Sequence, residues 1–446
     1  MRFRGLTIAA VLLLGLAVGL YFADKQKATE AAKPPADAPP KILVIPDGDI
    51  TKVTLKKKTG DPVVLQKANN KWQMVAPKPF LVDQEAANTL AAAASTVSSD
   101  RVIEDKATDL ASYGLATPSL QVEITTKDGK NRKLLFGDDT PTNSGAYAML
   151  EGDSRLFTVA SFVKTGLDKS VNDLRDKRLL TFDQDKLSRV ELIAKHQDVE
   201  FGRDKDQWQI VKPKPLRADG LQIEELIRKL KDAKMDLAVS EDDAKKALAS
   251  FAGGTPVATV KLTDPSGTQQ VDVRKVKDDY YAKSSVVDGV HKVPADVGTG
   301  LDKGLDDFRN KKLFDFGFND PNRIEMHDNG KAYSFEKKGE DWLAAGKKMD
   351  STSVQSFLDK LRDFSATKFI DAGTFGAPVI DITVTSNDGK RVEKLLIAKT
   401  GSDYIAKRDT EPSLYGLDAK AVDELTRAAS DVKPPAAPPP APPKKK

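Results

Sequence analysis

The sequence predicts an α+β protein, an N-terminal transmembrane helix followed by three tandem repeats, each of mainly antiparallel sheets with two helices. Three observations carry this expectation. Eighteen residues from Leu6 to Ala23 pass without a charge. The three tryptophans stand at 72, 208 and 342, separated by 136 and 134 residues. Around each of them, short runs of period-two alternation give way to stretches of helical periodicity.

Arg2 and Arg4 precede the uncharged run. At 1.5 Å rise per residue such a helix spans roughly 27 Å, near the thickness of a bilayer's hydrocarbon core. Basic residues before it and a long polar chain after it predict a cytoplasmic N-terminus, with the bulk of the chain on the far side. Residues 1–23 thus read as an anchor, extended by Tyr21 and Phe22. The competing reading is a cleaved signal peptide, with Ala17 and Gly19 at −3 and −1. Residues 24–40 (DKQKATEAAKPPADAPP) read as an Ala/Pro-rich linker.

The formal net charge is +4, but residues 24–432 hold 64 basic and 66 acidic side chains, so the excess sits at the two ends. A near-neutral body argues against nucleic acid as a partner, since duplex binding needs concentrated positive charge. With 39% hydrophobic and 30% charged residues the chain can bury cores. The absence of cysteine excludes disulfides, iron–sulfur clusters, thiolate nucleophiles and Cys-ligated zinc.

The repeat extends beyond the tryptophans. WQMVAPKP at 72–79 returns as WQIVKPKP at 208–215, and Asp83 and Asp219, each eleven residues past a tryptophan, are placed as helix N-caps. GLDKSVNDLRDKRLL at 166–180 returns 134 residues later as GLDKGLDDFRNKKLF. A three-stranded meander ending on the tryptophan strand leads into a helix, at 84–97, 221–231 and 353–364. A segment ending in proline follows (YGLATP, FAGGTP, TFGAP), then further strands with turns such as Lys127-Asp128-Gly129-Lys130 and Asn387-Asp388-Gly389-Lys390. A closing helix is predicted over 161–179, 300–312 and 419–430. The units are set at 41–181, 182–315 and 316–432. The third lacks the Pro-Lys-Pro after Trp342 and the basic closing segment, as terminal repeats often diverge. From Lys433 a lysine-tipped, Pro-rich tail (433–446) should be extended polyproline II.

The tryptophan–proline box, the capped helix, YGL-x-x-P and the Leu-Arg-Asp-Lys closing segment, behind one N-terminal anchor, resemble the bacterial domain of unknown function 4340 family over 41–432. Members resemble the extracytoplasmic part of the auxiliary protein of gliding-motility-type ABC transporters. The resemblance therefore implies an ABC-type permease and ATPase as partners, and it supplies no catalytic residues.

Candidate chemistry is sparse. His196, His291 and His327 fall in different units without HExxH spacing, which gives a zinc site little support. Acidic clusters at Asp138-Asp139, Glu241-Asp242-Asp243 and Asp278-Asp279 lack calcium-loop spacing and suit turns and helix starts. Ser161-Phe-Val-Lys164, Ser170-Val-Asn172 and three KTG triplets mimic the boxes of penicillin-recognising enzymes, but two of them share one short segment and cannot converge on a serine. The possible interaction surface comprises Arg175, Lys177 and Arg178, their copies Arg309, Lys311 and Lys312, and Trp72 and Trp208. The cations suit an anionic ligand or a solvated helix end. The tryptophans suit sugar stacking or a core. The expectation is a non-enzymatic protein of the inner membrane, single-pass and largely periplasmic, needing no cofactor or metal. It would be an accessory or scaffold of an ABC-type transport complex, with glycan or peptide binding in inter-repeat grooves as the alternative.

Overall fold

The computed structural model describes residues 40–237, 241–318 and 321–436. The chain divides into two compact units, residues 1–177 and 178–446. In the first, eight antiparallel strands lie in the order Lys71–Ala76, Val63–Ala68, Ile50–Lys57, Leu120–Thr126, Asn131–Asp139, Gly145–Leu150, Leu156–Ala160, Arg101–Glu104. The meander before the long helix and the strands after it are thus one sheet, joined where Ile50–Lys57 pairs with Leu120–Thr126 (Val53 opposite Ile124). Period-two alternation sends Val53, Leu55, Val122 and Ile124 to one buried face.

The second unit holds two more sheets that repeat the same central order of seven strands and differ at their edges. One runs Gln207–Lys212, Gln197–Asp204, Arg189–Ala194, Thr255–Asp264, Gly267–Val276, Asp279–Ser284, Val290–Val293. The other begins Lys347–Lys348, Asp341–Ala344, Lys331–Lys338, Arg323–Asp328. It continues Pro378–Ser386, Arg391–Thr400, Asp403–Arg408, Leu414–Leu417, Lys368–Ile370. Each of the three sheets has its own hydrophobic core.

One long helix covers each sheet: Gln84–Ser95, Gly220–Asp232 and Ser351–Asp363. Asp83, Asp219 and Asp350 cap them, their carboxylates accepting first-turn N–H groups that have no partner inside the helix. Four, seven, eight and eleven residues beyond each cap come the buried positions. They are Ala87, Leu90, Ala91 and Ala94; Ile223, Leu226, Ile227 and Leu230; and Val354, Phe357, Leu358 and Leu361. This is the i, i+3, i+4, i+7 stripe of an amphipathic helix.

Three expectations need correction. The fold is mostly antiparallel sheet, with four sheets and eight helices among the described residues, where a transmembrane helix and three repeats of mainly antiparallel sheets with two helices each were expected. No helix among the described residues is long and apolar enough to cross a membrane. The segments read as anchor (1–23) and as linker up to residue 39, and the tail from 437, lie outside the described residues.

The closing helices are the third correction. In the first repeat the helix Ser161–Leu167 stops at Asp168, and a capping box at Ser170 starts only the single turn Val171–Leu174. In the second, Ala295–Leu301 is followed by a 3-10 turn at Leu305–Asp307. Beyond these turns the predicted helical residues form an extended strap. The Asp83 N–H donates to the Leu174 carbonyl (3.0 Å) and the Asp176 N–H to the Leu81 carbonyl (2.8 Å); Asp219 N–H to Phe308 (2.7 Å) and Asn310 N–H to Arg217 (3.0 Å) repeat the pattern. A short helix is marginal by itself, so the backbone pairing prevails over the helical propensity of Leu, Arg and Lys. The third repeat keeps its closing helix, Ala419–Ser430, and then the first strap bond, Asp350 N–H to Lys433 carbonyl (2.8 Å). The residue placed to donate next is Pro435, which has no N–H, and the ladder stops there.

The strap continues into the following repeat. Leu179 N–H donates to the Ala233 carbonyl and Leu313 N–H to the Phe364 carbonyl, both at 3.0 Å, just past the long helices. In the first repeat the lead strand Lys41–Val44 pairs with Thr96–Ser98 in the same place. The leads bury matching apolar side chains, Ile42, Leu43 and Ile45; Leu179, Leu180 and Phe182; Leu313, Phe314 and Phe316. The helix Glu241–Gly253 is an insertion before the Thr255–Asp264 strand, and the acidic run Glu241-Asp242-Asp243 opens it.

Candidate interaction site

Trp72 and Trp208 lie on the edge strand of their sheets with their rings turned inward, 2% and 5% exposed. Each indole N–H donates to a residue sixteen positions on, in the covering helix: Trp72 Nε1 to Asn88 Oδ1 (2.9 Å) and Trp208 Nε1 to Glu224 Oε1 (2.7 Å). In the third repeat that position is the buried Leu358, and Trp342 is buried as well. The rings are core anchors with a satisfied polar tip. They leave no face on which a sugar could stack.

The main chain of the tryptophan edge differs between repeats. Residues of an antiparallel edge strand alternate between pairing inward and presenting their N–H and C=O outward. In the first repeat the outward pair of Trp72 is closed by Gln84: the Trp72 N–H donates to Gln84 Oε1 (2.8 Å) and Gln84 Nε2 donates to the Trp72 carbonyl (2.9 Å). In the third, the Met349 N–H donates to the Trp342 carbonyl (2.8 Å). In the second, the residue after the cap is Gly220, and a cleft of about 420 Å³ lies there, lined by Gln207, Trp208, Gln209, Arg217, Gly220 and Asn310 among others. Sequence reasoning missed this cleft, although Gln84 opposite Gly220 at the position after the cap was its visible signal.

The basic residues do not form one surface. Arg175 is half-buried in the strap with its guanidinium 4.2 Å from the centre of the Phe80 ring, and burial draws its pKa down. Lys177 is half-buried, and Arg178 is exposed and leads into the second unit. Arg309 is 3% exposed. Its Nη1 reaches Asp306 (3.1 Å) and Asp371 (3.2 Å), Nη2 donates to Ser413 Oγ (3.2 Å), and the guanidinium lies 3.7 Å from the centre of the Phe369 ring. Lys311 and Lys312 are exposed, while their backbone pairs with Ser365 and Ala366. Of the six cations, then, Arg309 is an internal clamp between the second and third repeats.

A second clamp went unseen in the sequence. Arg217 donates to Glu411 Oε1 (3.0 Å), to Asp315 Oδ1 (3.1 Å) and to the Lys312 carbonyl (2.6 Å). Arg408 reaches Asp315 (3.1 Å), Glu393 (3.2 Å) and Glu411 (2.9 Å), and Arg391 reaches Glu393 (3.3 Å). Burial pushes the Glu393 carboxyl up, opposed by the Asp315 N–H at 2.8 Å and by Arg391. Burial beside Glu411 raises the Tyr415 phenol well above its ordinary value. Elsewhere Lys164, from the penicillin-box decoy, is paired with Asp139 at 2.8 Å. His327 Nδ1 lies 3.0 Å from Asp381. No group of three or more metal-binding side chains converges among the described residues.

A sequence profile described as "Domain of unknown function (DUF4340)" matches residues 72–208 and again 208–379. The chain belongs to this family. Each DUF4340 match starts on a tryptophan strand, and the first ends on the next tryptophan, so the family's segment begins in mid-sheet and crosses the strap. Comparisons with curated proteins and with solved structures returned no match.

Proposed function

We propose that this DUF4340 chain is a non-enzymatic envelope protein, exported to the outer side of the cytoplasmic membrane, where it serves as a scaffold or accessory component of an ABC-type transport complex. The observation that carries the reading is the deployment of its strongest polar groups. Arg217, Arg309, Arg391 and Arg408, with Asp315, Asp371, Glu393 and Glu411, are engaged with one another in joining two repeats. Side chains committed in this way build a rigid scaffold and are not set out to bind and turn over a substrate. Export is supported by the uncharged run behind Arg2 and Arg4, and the transporter by the family resemblance. Cross-linking in intact cells, gentle solubilisation and affinity capture of the full chain should recover a permease or ATPase subunit in stoichiometric amount. Repeated recovery of the chain alone would overturn the assignment.

Peptide binding is the second reading, favoured by the cleft at Gly220. The buried tryptophan rings weigh against its glycan form.

A further inference from the structure

We propose that the cleft beside Trp208 is a binding site for a primary carboxamide, the side chain of a glutamine or asparagine presented by a peptide segment of a partner protein. The inference deepens the scaffold reading by naming a docking point, and rests on that reading only for the identity of the partner as a protein. The site itself rests on geometry inside the chain.

The first repeat shows the occupied form. There the Gln84 carboxamide faces the edge of Trp72 and makes both bonds, accepting from its N–H and donating to its C=O. Trp208 holds the equivalent register, opposite Arg203 one step from the hairpin turn, as Trp72 stands opposite Lys67. Its outward N–H and C=O therefore face the cleft, and Gly220, which replaces Gln84 after the N-cap, brings no side chain to meet them. Nothing in the backbone demands glycine at this position. Its φ is not left-handed, and a Cβ would meet nothing within 4 Å. Glycine at a helix start forgoes the conformational restriction that any other residue would bring, so the empty position is unfavourable for folding alone.

The chemistry selects the ligand. A donor and an acceptor side by side are complemented by a group carrying C=O and N–H on one edge. A primary carboxamide does so; a carboxylate lacks the donor and an ammonium lacks the acceptor. Addition of a whole strand is blocked, because the next outward residue, Ile210, is already paired in both directions with Leu216 (3.1 and 3.3 Å). One amide fits where a ladder does not. Gln207, Gln209 and Asn310 line the wall beside charged side chains, of which Arg217, Asp315 and Arg391 are ion-paired with one another and Glu224 accepts from the Trp208 indole, while Asp206 lies at the hairpin turn.

The test uses the full-length chain in mild detergent, labelled with ¹⁵N-tryptophan, so that the spectrum holds one backbone and one indole signal for each of its three tryptophans. N-acetyl-glutamine N-methylamide is titrated in, with the glutamate and norleucine analogues as controls. The Trp208 backbone amide should shift downfield and saturate with the glutamine probe, bind the controls at least about tenfold more weakly, and leave the Trp72 amide unmoved. Gly220→Gln should place the Trp208 amide at the shifted position without probe and abolish the titration, whereas Gly220→Ala should titrate like the native chain. The Trp72 and Trp342 signals report that each variant is folded. A Trp208 amide indifferent to the glutamine probe, or a Gly220→Gln chain that still titrates, would overturn the site. Neither result bears on recovery of a permease or ATPase, so this inference and the scaffold reading fail separately.

Discussion

Replacing Arg309 with alanine is expected to destabilise the unit 178–446 by about 3 kcal/mol. The side chain is almost fully enclosed, but its carboxylate partners are not: Asp306 and Asp371 are 64% and 55% exposed and regain water when the guanidinium goes. The cost is therefore smaller than the roughly 3–5 kcal/mol of breaking a wholly buried ion pair, and each half-exposed pair counts as a surface one, about 0.2–1 kcal/mol. The larger parts are the desolvated contact with the Phe369 ring, about 2 kcal/mol, and the packing of the buried stem. At about 2–4 °C per kcal/mol for a domain of this size, the melting transition should fall by about 6–12 °C in calorimetry. Arg309→Met keeps the stem but loses the guanidinium's contacts, and should be milder than Arg309→Ala by the packing contribution alone. Lys311→Ala, two residues along the same strap but exposed, should stay within about 0.5 kcal/mol of the native chain. An Arg309→Ala chain that melts within 1 °C of native would refute the assignment of Arg309 as an internal clamp and return it to the solvent.

Asn88→Leu should cost about 1–3 kcal/mol in urea denaturation, because it leaves the Trp72 indole N–H buried without an acceptor. Trp72→Phe combined with Asn88→Leu should cost less than the two single changes added, since both partners are then removed together. Alanine at Asp83, Asp219 or Asp350 should each cost about 1 kcal/mol by exposing first-turn N–H groups, with the effect read as unfolding of the respective repeat. The carboxyl of Asp264 is held below its ordinary pKa by the Ser266 hydroxyl and by the Asp183 and Ser266 N–H groups. A depressed folded-state pKa contributes stability that is present above the unfolded value of about 3.9 and lost as pH falls through the folded one. The unfolding midpoint should therefore drop as pH is lowered below about 4, and Asp264→Asn should flatten that part of the profile.

The repeat, the tryptophan strand and the capped helix were legible because local chemistry settles them. An aspartate before an amphipathic stripe starts a helix whatever surrounds it, and Asp350 obeys the same rule without a Pro-Lys-Pro to announce it. The strap was illegible for the opposite reason. Leu174-Arg175-Asp176-Lys177 has helical composition, and its conformation is decided by carbonyls at Leu81 and Leu174 that only the tertiary fold brings together. The merging of each repeat's two strand groups into one sheet is likewise non-local, since Val53 meets Ile124 across the whole helix. Of the candidate site, residue types misled where burial decides. Tryptophans beside prolines and a basic run suggested a surface, yet Trp72, Trp208 and Arg309 are enclosed. Arg217 gave no signal because its partners Asp315 and Glu411 are distant in sequence, and Arg408 because the Asp315 that ties it to the second repeat is distant too.

The strap has a consequence for how such chains change length. Its first half pairs with the repeat it leaves and its second half with the repeat it enters. Excision of residues 178–311 would join Lys177 to Lys312 and restore a strap of native alternation, Leu174-Arg175-Asp176-Lys177-Lys312-Leu313-Phe314. Insertion of the same stretch would do so again. Recombination at this seam thus changes copy number without creating a new kind of junction. Pro434 and Pro435, standing where the next pairing would start, carry no N–H and interrupt the strap at that point.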